Sequence, residues 1–249
     1  MTDGIKFFNK GFVGSKEQAL KWIVDNQLSP SVLGRSIFCE NALLNAINFG
    51  CKQYLIFASG YDTFAYRNNF KELKIFEIDK SDMIEDKIKR LENNKIDYSK
   101  VNFIACDFKE NNLINNIINS AYKSEEISFS SLLGISYYLT KEEFFDMITN
   151  ISKIICNGSS IVFDYPSYDN GKETQINEAL ARDANEQMKS KYSYEEIEKI
   201  LSKNGFSIHQ HLDYQEMTNT YFFKYNAINP NNKIIAPKGV CYCLAVKNK

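Results

Sequence analysis

The sequence predicts an α/β fold with an open, mostly parallel sheet of seven strands and helices on both faces. Short apolar segments alternate along the chain with segments of helical periodicity, which is the pattern of repeated βαβ units. The chain of 249 residues is 44% hydrophobic, so residues 1–249 can form one domain with its own core. No apolar run reaches the ~20 residues that span a bilayer, and no signal-peptide pattern opens the chain. We therefore expect a cytoplasmic protein without a membrane partner.

Two helices are expected before the first strand, within an N-terminal helical segment of residues 1–50. The first covers about residues 16–26, and Ser15 with Gln18 forms a capping box at its start. The second covers about residues 36–49. Both show the spacing of apolar residues that a helix packed on a core requires.

Five parallel strands are expected next. Each is a short apolar run followed by a helical segment, as an open parallel sheet requires. The first run, QYLIFA, ends in Ser59-Gly60 and indicates a strand that is buried on both faces and enters a tight turn. The five runs are residues 53–58, 73–78, 101–106, 128–134 and 160–165.

Capping boxes mark two helix starts in the second half of the chain, where Thr140 pairs with Glu143 and Ser193 with Glu196. Gly205 is expected to end the second of these helices. These signals are local, because a side chain three residues away satisfies the free backbone N–H groups of the first turn.

The chain closes with two predicted strands, residues 206–214 and 239–246, without a helix between them, which suggests a hairpin-like edge of the sheet. The polar insertion of residues 166–192 has helical potential over about residues 173–189 and only a thin apolar stripe. It is a candidate lid over the functional site. A surface helix without a role is the alternative.

The composition argues against several function classes. Lys plus Arg number 30 against 31 Asp plus Glu, so no global field points to a nucleic acid or a membrane surface. The cations of residues 87–90 are interleaved with acids and indicate a solvated helix face. Six cysteines without a repeating spacing indicate reduced thiols in the core. Cys241 and Cys243 would share one face of a strand, but no second pair completes a metal site, and we expect no metal.

Ligands of an open parallel sheet bind beyond the carboxyl ends of its strands, so these tips are the candidate site. Gly60, after the first strand, permits close approach by a ligand. A dinucleotide fingerprint would also want glycine near positions 58 and 63, where Ala58 and Thr63 stand, so a nicotinamide site is disfavoured. Asp79 at the second tip is placed either to accept hydrogen bonds from ribose hydroxyls or to cap a helix.

Aromatic residues follow the next two strands. Asp107 and Phe108 at the third tip have the chemistry to hold and cover an adenine, although an Asp that simply begins a loop is the alternative. At the fourth tip, Tyr137 and Tyr138 are adjacent and should point in different directions. One of them can therefore line a site while the other packs in the core.

These strings resemble, in order and spacing, the leucine carboxyl methyltransferase type of class I S-adenosylmethionine-dependent methyltransferases. That family characteristically has a glycine-rich turn followed by Asp-Thr and then by Tyr or Trp with Arg, which match Gly60, Asp62-Thr63 and Tyr66-Arg67. The resemblance covers about residues 30–247 and implies a Rossmann-like fold in which the last strand inserts antiparallel. The strings that carry it are QYLIFASGYDTFAYR, IFEID, ACDF, LGISYYLTKEE and IVFDY.

The resemblance also implies how S-adenosylmethionine would be held. Arg35, on the helix before the first strand, would contact the carboxylate of the cofactor. Ala58 and Gly60 would lie under its methionine part, Asp79 would bind its ribose, and the residues at the third tip would bracket its adenine. The cofactor-binding residues expected in this way are Arg35, Ala58, Gly60, Asp62, Asp79, Asp107, Phe108 and Leu133.

Two positions depart from the family pattern. Ala58 stands where the family usually has glycine, which adds a Cβ at a place of close backbone approach. Leu133 stands where the family commonly has a glutamate that faces the cofactor, which removes a hydrogen-bond acceptor. Both departures predict weaker cofactor binding.

The acceptor is expected to be a small molecule, with a carboxyl or hydroxyl group as the site of methylation. A carboxylate with a pKa near ~4 is already ionised at neutral pH, whereas a phenol near ~10 needs a base. Asp164, His209 and His211 are candidate bases, although both histidines fit structural positions better. Arg67 has the planar donor fork that binds an acid, with a structural ion pair as the alternative. The candidate catalytic residues are Arg67, Tyr137, Tyr138 and Tyr165.

Three functions remain open from the sequence. The leading one is an S-adenosylmethionine-dependent O-methyltransferase that acts on a small molecule, with a peptide carboxyl terminus as the other substrate type. A nicotinamide-dependent oxidoreductase would require the full glycine fingerprint. A protein that binds the cofactor without turnover is suggested by Ala58 and Leu133.

Overall fold

The computed structural model describes residues 15–108, 112–169, 171–183 and 187–248. Its centre is a seven-stranded sheet in the order β3-β2-β1-β4-β5-β7-β6. Six strands run in the same direction and β7 alone runs in the opposite one, as the family resemblance implies. The strands are β1 Gln53–Phe57, β2 Lys74–Asp79, β3 Val101–Ala105, β4 Ser128–Leu132, β5 Ser160–Pro166, β6 Phe206–Leu212 and β7 Val240–Lys247.

Helices cover both faces of the sheet, so the predicted α/β class is confirmed. One core cluster joins helices α5, α6 and α8 to one face, and the other joins α2 and α9 to the opposite face. The α-helices are α1 Lys16–Ile23, α2 Ser29–Asn48, α3 Phe64–Arg67, α4 Ser81–Asn93, α5 Leu113–Ile118, α6 Lys141–Ile154, α7 Lys172–Asp183, α8 Tyr194–Lys203, α9 Tyr214–Met217 and α10 Phe223–Ile228.

The predicted capping boxes are all formed. Ser15 accepts from Gln18 N–H at the start of α1, and Thr140 and Ser193 do the same with the N–H groups of Glu143 and Glu196. Helix α8 ends just before Gly205, whose φ of 79° lets the chain turn into β6. Local side-chain chemistry thus places these boundaries correctly.

The second helix begins earlier than predicted, at Ser29 rather than near Ser36. Pro30 lies in its first turn, where a missing N–H costs nothing, and a π-helical turn over Val24–Leu28 joins it to α1. Part of the predicted N-terminal helical segment, residues 1–14, lies outside the described residues.

The prediction that no helix lies between the last two strands was wrong. Strands β6 and β7 do pair as neighbours, but α9, a π-helical turn over Thr218–Phe222 and α10 lie between them. Asp213 accepts hydrogen bonds from the N–H groups of Gln215 and Glu216, which makes a capping box that the sequence also carries.

The cysteines are core thiols, as predicted. All six lie in the described residues and are free thiols, and all but the half-buried Cys156 are buried. Cys241 and Cys243 lie on the same face of β7, and burial raises the pKa of the Cys243 thiol. In the described part of the chain, no group of three or more His, Cys, Asp or Glu residues is arranged to hold a metal ion.

The prediction of a solvated helix face for residues 87–90 is wrong at Lys87. Its side chain is 5% exposed, and its Nζ lies 2.6 Å from Oε2 of the fully buried Glu77. Tyr66 donates a hydrogen bond of 3.1 Å to the same oxygen. Burial raises the pKa of Glu77, while the charge of Lys87 lowers it. Lys89 and Arg90 are exposed as expected.

No helix in the described part of the chain has both the length and the apolar character that a membrane span needs. Several apolar side chains of the N-terminal helical segment are exposed, including Trp22, Val24 and Leu28.

Candidate functional site

A first cavity, with a volume of about 340 Å³, opens at the carboxyl ends of β1 and β4. The turn after β1, helix α2 and the residue after β4 form its wall, so segments distant in sequence meet there. Six of the predicted site residues line it: Arg35, Ala58, Gly60, Asp62, Arg67 and Leu133.

The turn of residues 58–63 is anchored by Asp79. Ala58 and Gly60 have positive φ angles of 51° and 44°, which an alanine adopts at a cost of about 1–2 kcal/mol. The N–H of Gly60 donates to Asp79 Oδ2 at 2.7 Å, and the N–H of Lys80 donates to Asp79 Oδ1 at 2.8 Å. Asp79 thus joins the turn to the end of β2.

Two polar groups in the first cavity fit an amino-acid ligand. Ser59 is 4% exposed, and its hydroxyl oxygen has no hydrogen-bond partner among the residues that the structure describes. The Arg35 guanidinium lies 3.8 Å from Asp164 Oδ2, which leaves N–H donors free to bind an anion. A ligand with carboxylate and amino groups would satisfy both side chains.

The third strand tip forms a separate cleft of about 410 Å³, which Asp107 and Lys80 line together. Lys80 Nζ lies 3.8 Å from Asp107 Oδ2. The ring of Phe108 packs 6.4 Å from that of Phe57, a residue of the first cavity. Neither Asp107 nor Phe108 lines the first cavity. Both follow β3, whose carboxyl end lies beside that of β2.

Asp164, at the end of β5, is a fully buried carboxylate. Its Oδ1 accepts a hydrogen bond of 2.7 Å from Gly134 N–H, and its Oδ2 accepts one of 2.9 Å from the Tyr137 hydroxyl. Arg35 supplies the positive charge beside it. Gly134 has a φ of 69°, a left-handed conformation that favours glycine, and a Cβ there would displace the Arg35 guanidinium.

A second cavity, of about 410 Å³, adjoins the first and shares Val32 and Arg35 with it. Helix α7 roofs it with Thr174, Glu178 and Ala181. The remaining lining residues come from five other segments: Leu28, Ser31, Gly134, Tyr137, Tyr138, Pro166, Met188, Lys191, Pro237, Lys238, Gly239 and Val240.

Both adjacent tyrosines line the second cavity, so they do not divide between site and core as expected. Tyr137 is the more buried of the two, and burial raises its pKa well above the usual value. It therefore stays protonated at neutral pH and donates its hydrogen to Asp164. Tyr138 lies beside it, with the ring centroids 6.2 Å apart.

Tyr165 is not brought to either cavity. Successive residues of a strand face opposite sides of the sheet, so Asp164 faces the site and Tyr165 faces the other core. Its hydroxyl lies 2.7 Å from Nε2 of His211, whose pKa is lowered by burial. Neither His209 nor His211 lines the second cavity.

Arg67 lines the first cavity, but its guanidinium is already engaged. Its Nη1 donates to Glu40 Oε2 at 3.0 Å, its Nη2 donates to the other oxygen, and its Nε donates to Thr63 Oγ1 at 3.1 Å. This pair connects α2 with α3, which corresponds to the structural alternative considered for Arg67.

Several residues of the second cavity had no signal in the sequence. Glu178 and Lys191 form an ion pair of 2.8 Å across its wall, and Met188 and Val240 add apolar surface. They come from three segments of the chain, and only the fold brings these together. Their spacing in the sequence therefore could not predict that they line a cavity.

Comparison with known proteins agrees with this architecture. Residues 4–152 match the leucine carboxyl methyltransferase family. A Bacillus subtilis (strain 168) protein, provisionally named S-adenosyl-L-methionine-dependent methyltransferase YktD, is 33% identical over 262 residues, which cover 99% of this chain and 84% of that protein.

Two solved structures show the same fold at low sequence identity. A provisionally named methyltransferase from Thermobifida fusca YX is 13% identical with a TM-score of 0.67, covering 99% of this chain and 93% of that one. Magnesium protoporphyrin IX methyltransferase from Synechocystis PCC 6803, solved with bound SAH, is 11% identical with a TM-score of 0.56, covering 98% and 91%. The family match and the Bacillus subtilis relative show that the chain belongs to the leucine carboxyl methyltransferase family of S-adenosylmethionine-dependent methyltransferases.

Proposed function

We propose that the chain is an O-methyltransferase that transfers the methyl group of S-adenosylmethionine to the carboxylate of a small molecule. The observation that carries the proposal is the pair of adjoining cavities that share Arg35. One cavity suits the cofactor and the other the acceptor, so donor and acceptor would meet at their junction. Holding two reactants in this way supplies much of the catalysis of a displacement reaction.

The first cavity would hold the amino-acid part of the cofactor. Arg35 and Ser59 would bind its carboxylate and amino groups, and the turn at Gly60 would approach it closely. Asp79 would accept hydrogen bonds from the ribose, and the cleft at Asp107 would take the adenine. When bound, S-adenosylmethionine supplies a sulfonium methyl group, which an oxygen lone pair takes as the carbon–sulfur bond breaks, leaving a neutral thioether.

A carboxylate acceptor is favoured over a hydroxyl because no base is poised in the second cavity as the structure describes it. Tyr137 stays protonated, and Glu178 is paired with Lys191. Asp164 is occupied by two hydrogen bonds and lies beside Arg35. A carboxylate needs no deprotonation at neutral pH, so these residues need only orient it and exclude water.

Helix α7 would act as the lid proposed for residues 166–192, of which residues 170 and 184–186 lie outside the described part. Near its start, Thr174 donates a hydrogen bond of 2.6 Å to Asp169. Farther along, Glu178 is held by Lys191. Two contacts of this kind can open and close without unfolding the core, which supports a gating role.

Replacing Arg35 by alanine is expected to weaken S-adenosylmethionine binding by about 10-fold to 100-fold, the cost of about 1.5–3 kcal/mol for hydrogen bonds to a charged group. Isothermal titration calorimetry measures the affinity, and Arg182→Ala, which removes an exposed arginine of α7, is the matched control. Saturable binding of S-adenosylmethionine but not of NADH is expected for the unmodified protein. A folded Arg35→Ala variant with unchanged affinity would contradict this assignment.

Replacing Ala58 by glycine is expected to raise the affinity for S-adenosylmethionine about fivefold, because it removes a methyl group from a tight turn in the cavity wall. The free energy of unfolding should change by less than about 1 kcal/mol, since relief of the positive φ is offset by the greater freedom of glycine. Calorimetry and urea unfolding measure the two effects. An affinity that stays the same or falls would show that the Cβ does not hinder the cofactor.

A further inference from the structure

The wall of the second cavity combines apolar side chains with charges that are mostly matched. Glu178 and Lys191 neutralise each other at 2.8 Å. Lys238 is exposed to solvent, and its Nζ lies 5.9 Å from the centroid of the Tyr214 ring. The apolar part of the wall is formed by Leu28, Val32, Tyr137, Tyr138, Met188 and Val240.

Arg35 is paired with its acid more loosely than Lys191 is. Its carboxylate neighbour Asp164 lies 3.8 Å away and already accepts hydrogen bonds from Gly134 and Tyr137. The guanidinium has five N–H donors, so it can serve an anion in each cavity. An acceptor carboxylate would therefore lie at the junction of the two cavities, with the rest of the molecule against apolar side chains.

Resting on the proposed function, we propose that the acceptor is an amphipathic monocarboxylic acid whose apolar body packs against Tyr138, Met188 and Val240 beneath α7. A hydrophilic acid would leave these side chains without contacts, and the backbone amides of a peptide would be buried against them without hydrogen-bond partners. The apolar wall, rather than Arg35, would thus select the acceptor.

Calorimetry of the protein saturated with S-adenosylhomocysteine tests this with four probes. Octanoate has both the charge and the apolar body, acetate has the charge alone, 1-octanol has the body alone, and a pentapeptide has a free carboxyl terminus on a polar backbone. Octanoate is expected to bind at least about tenfold more tightly than acetate and the peptide, because several methylene groups leave water. It is expected to bind at least about tenfold more tightly than 1-octanol, because only octanoate brings a negative charge to Arg35. Equal or tighter binding of acetate, of 1-octanol or of the peptide would overturn the proposal.

Variants at Met188 test the location. Met188→Glu places a charge in the apolar wall at a half-buried position outside regular structure, and it should weaken octanoate binding at least about tenfold. Gln187→Glu adds the same charge at the exposed neighbour, and Met188→Leu keeps the volume; both should retain octanoate binding. An unchanged octanoate affinity in Met188→Glu would overturn the proposal.

The two proposals fail in different ways. S-adenosylhomocysteine is titrated first, and its affinity should be the same within about twofold in all three variants, because Met188 and Gln187 do not line the first cavity. Absence of that binding would refute the proposed cofactor site. Normal binding without any preference for octanoate would refute only the acceptor class.

Discussion

Replacing Asp79 by alanine is expected to weaken S-adenosylmethionine binding by about 100-fold or more. The carboxylate holds the N–H of Gly60 at 2.7 Å, so its loss frees the turn that forms the cavity wall and also removes the proposed ribose acceptor. Loss of hydrogen bonds to a charged group costs about 1.5–3 kcal/mol each, and two such contacts give this fold-change. Calorimetric titration measures it.

The control for Asp79 is Asp146→Ala, which removes an exposed carboxylate from α6. It should leave the affinity within about twofold of the unmodified protein, because exposed charges distant from a site are screened. If Asp79→Ala keeps a cooperative thermal transition and still binds within about threefold, Asp79 does not contribute to the cofactor site.

Replacing Lys87 by methionine is expected to lower the free energy of unfolding by about 3–5 kcal/mol. The substitution leaves the carboxylate of Glu77 buried without its counter-ion, and removal of one partner of a buried pair typically costs this much. Urea unfolding at pH 7 measures the change. Lys89→Met, at an exposed position of the same helix, should change it by less than about 0.5 kcal/mol.

The pH dependence distinguishes this mechanism from simple loss of packing. Burial raises the pKa of Glu77 in the folded state, and loss of the cation raises it further. A carboxyl with a raised folded pKa destabilises the fold as the pH rises from the unfolded pKa through the folded one. The deficit of Lys87→Met should therefore be smaller near pH 4 than at pH 7, and a deficit that does not change with pH would contradict the explanation.

Local signals explain what could be predicted from the sequence. The strand tips and capping boxes depend on residues within a few positions of one another, so Gly60, Asp79 and Thr140 were placed correctly. Asp213 and Glu216 form a capping box of the same kind. The prediction of a helix-free link did not take this local signal into account. The family resemblance supplied Arg35, whose place in the cavity wall no local pattern indicates.

The features that the sequence did not predict depend on tertiary contacts. Lys87 lies in a charged stretch that looks solvated, and only its position opposite Glu77 shows that it is buried. Tyr165 is a plausible site residue by its distance from Asp164 along the chain, yet it faces the opposite side of β5. The second cavity unites Val32, Met188 and Val240, which are too far apart in sequence for any spacing rule to connect them.

The position of β7 has a consequence for how the chain is made. Strand β7 pairs with β5 on one side and with β6 on the other, so the sheet cannot close until this late segment has been synthesised. On the ribosome, β5 would wait with an unpaired edge, which is a hazard for association between nascent chains. A ribosome stalled before Val240 would therefore expose a five-stranded intermediate whose open edge a chaperone could cover.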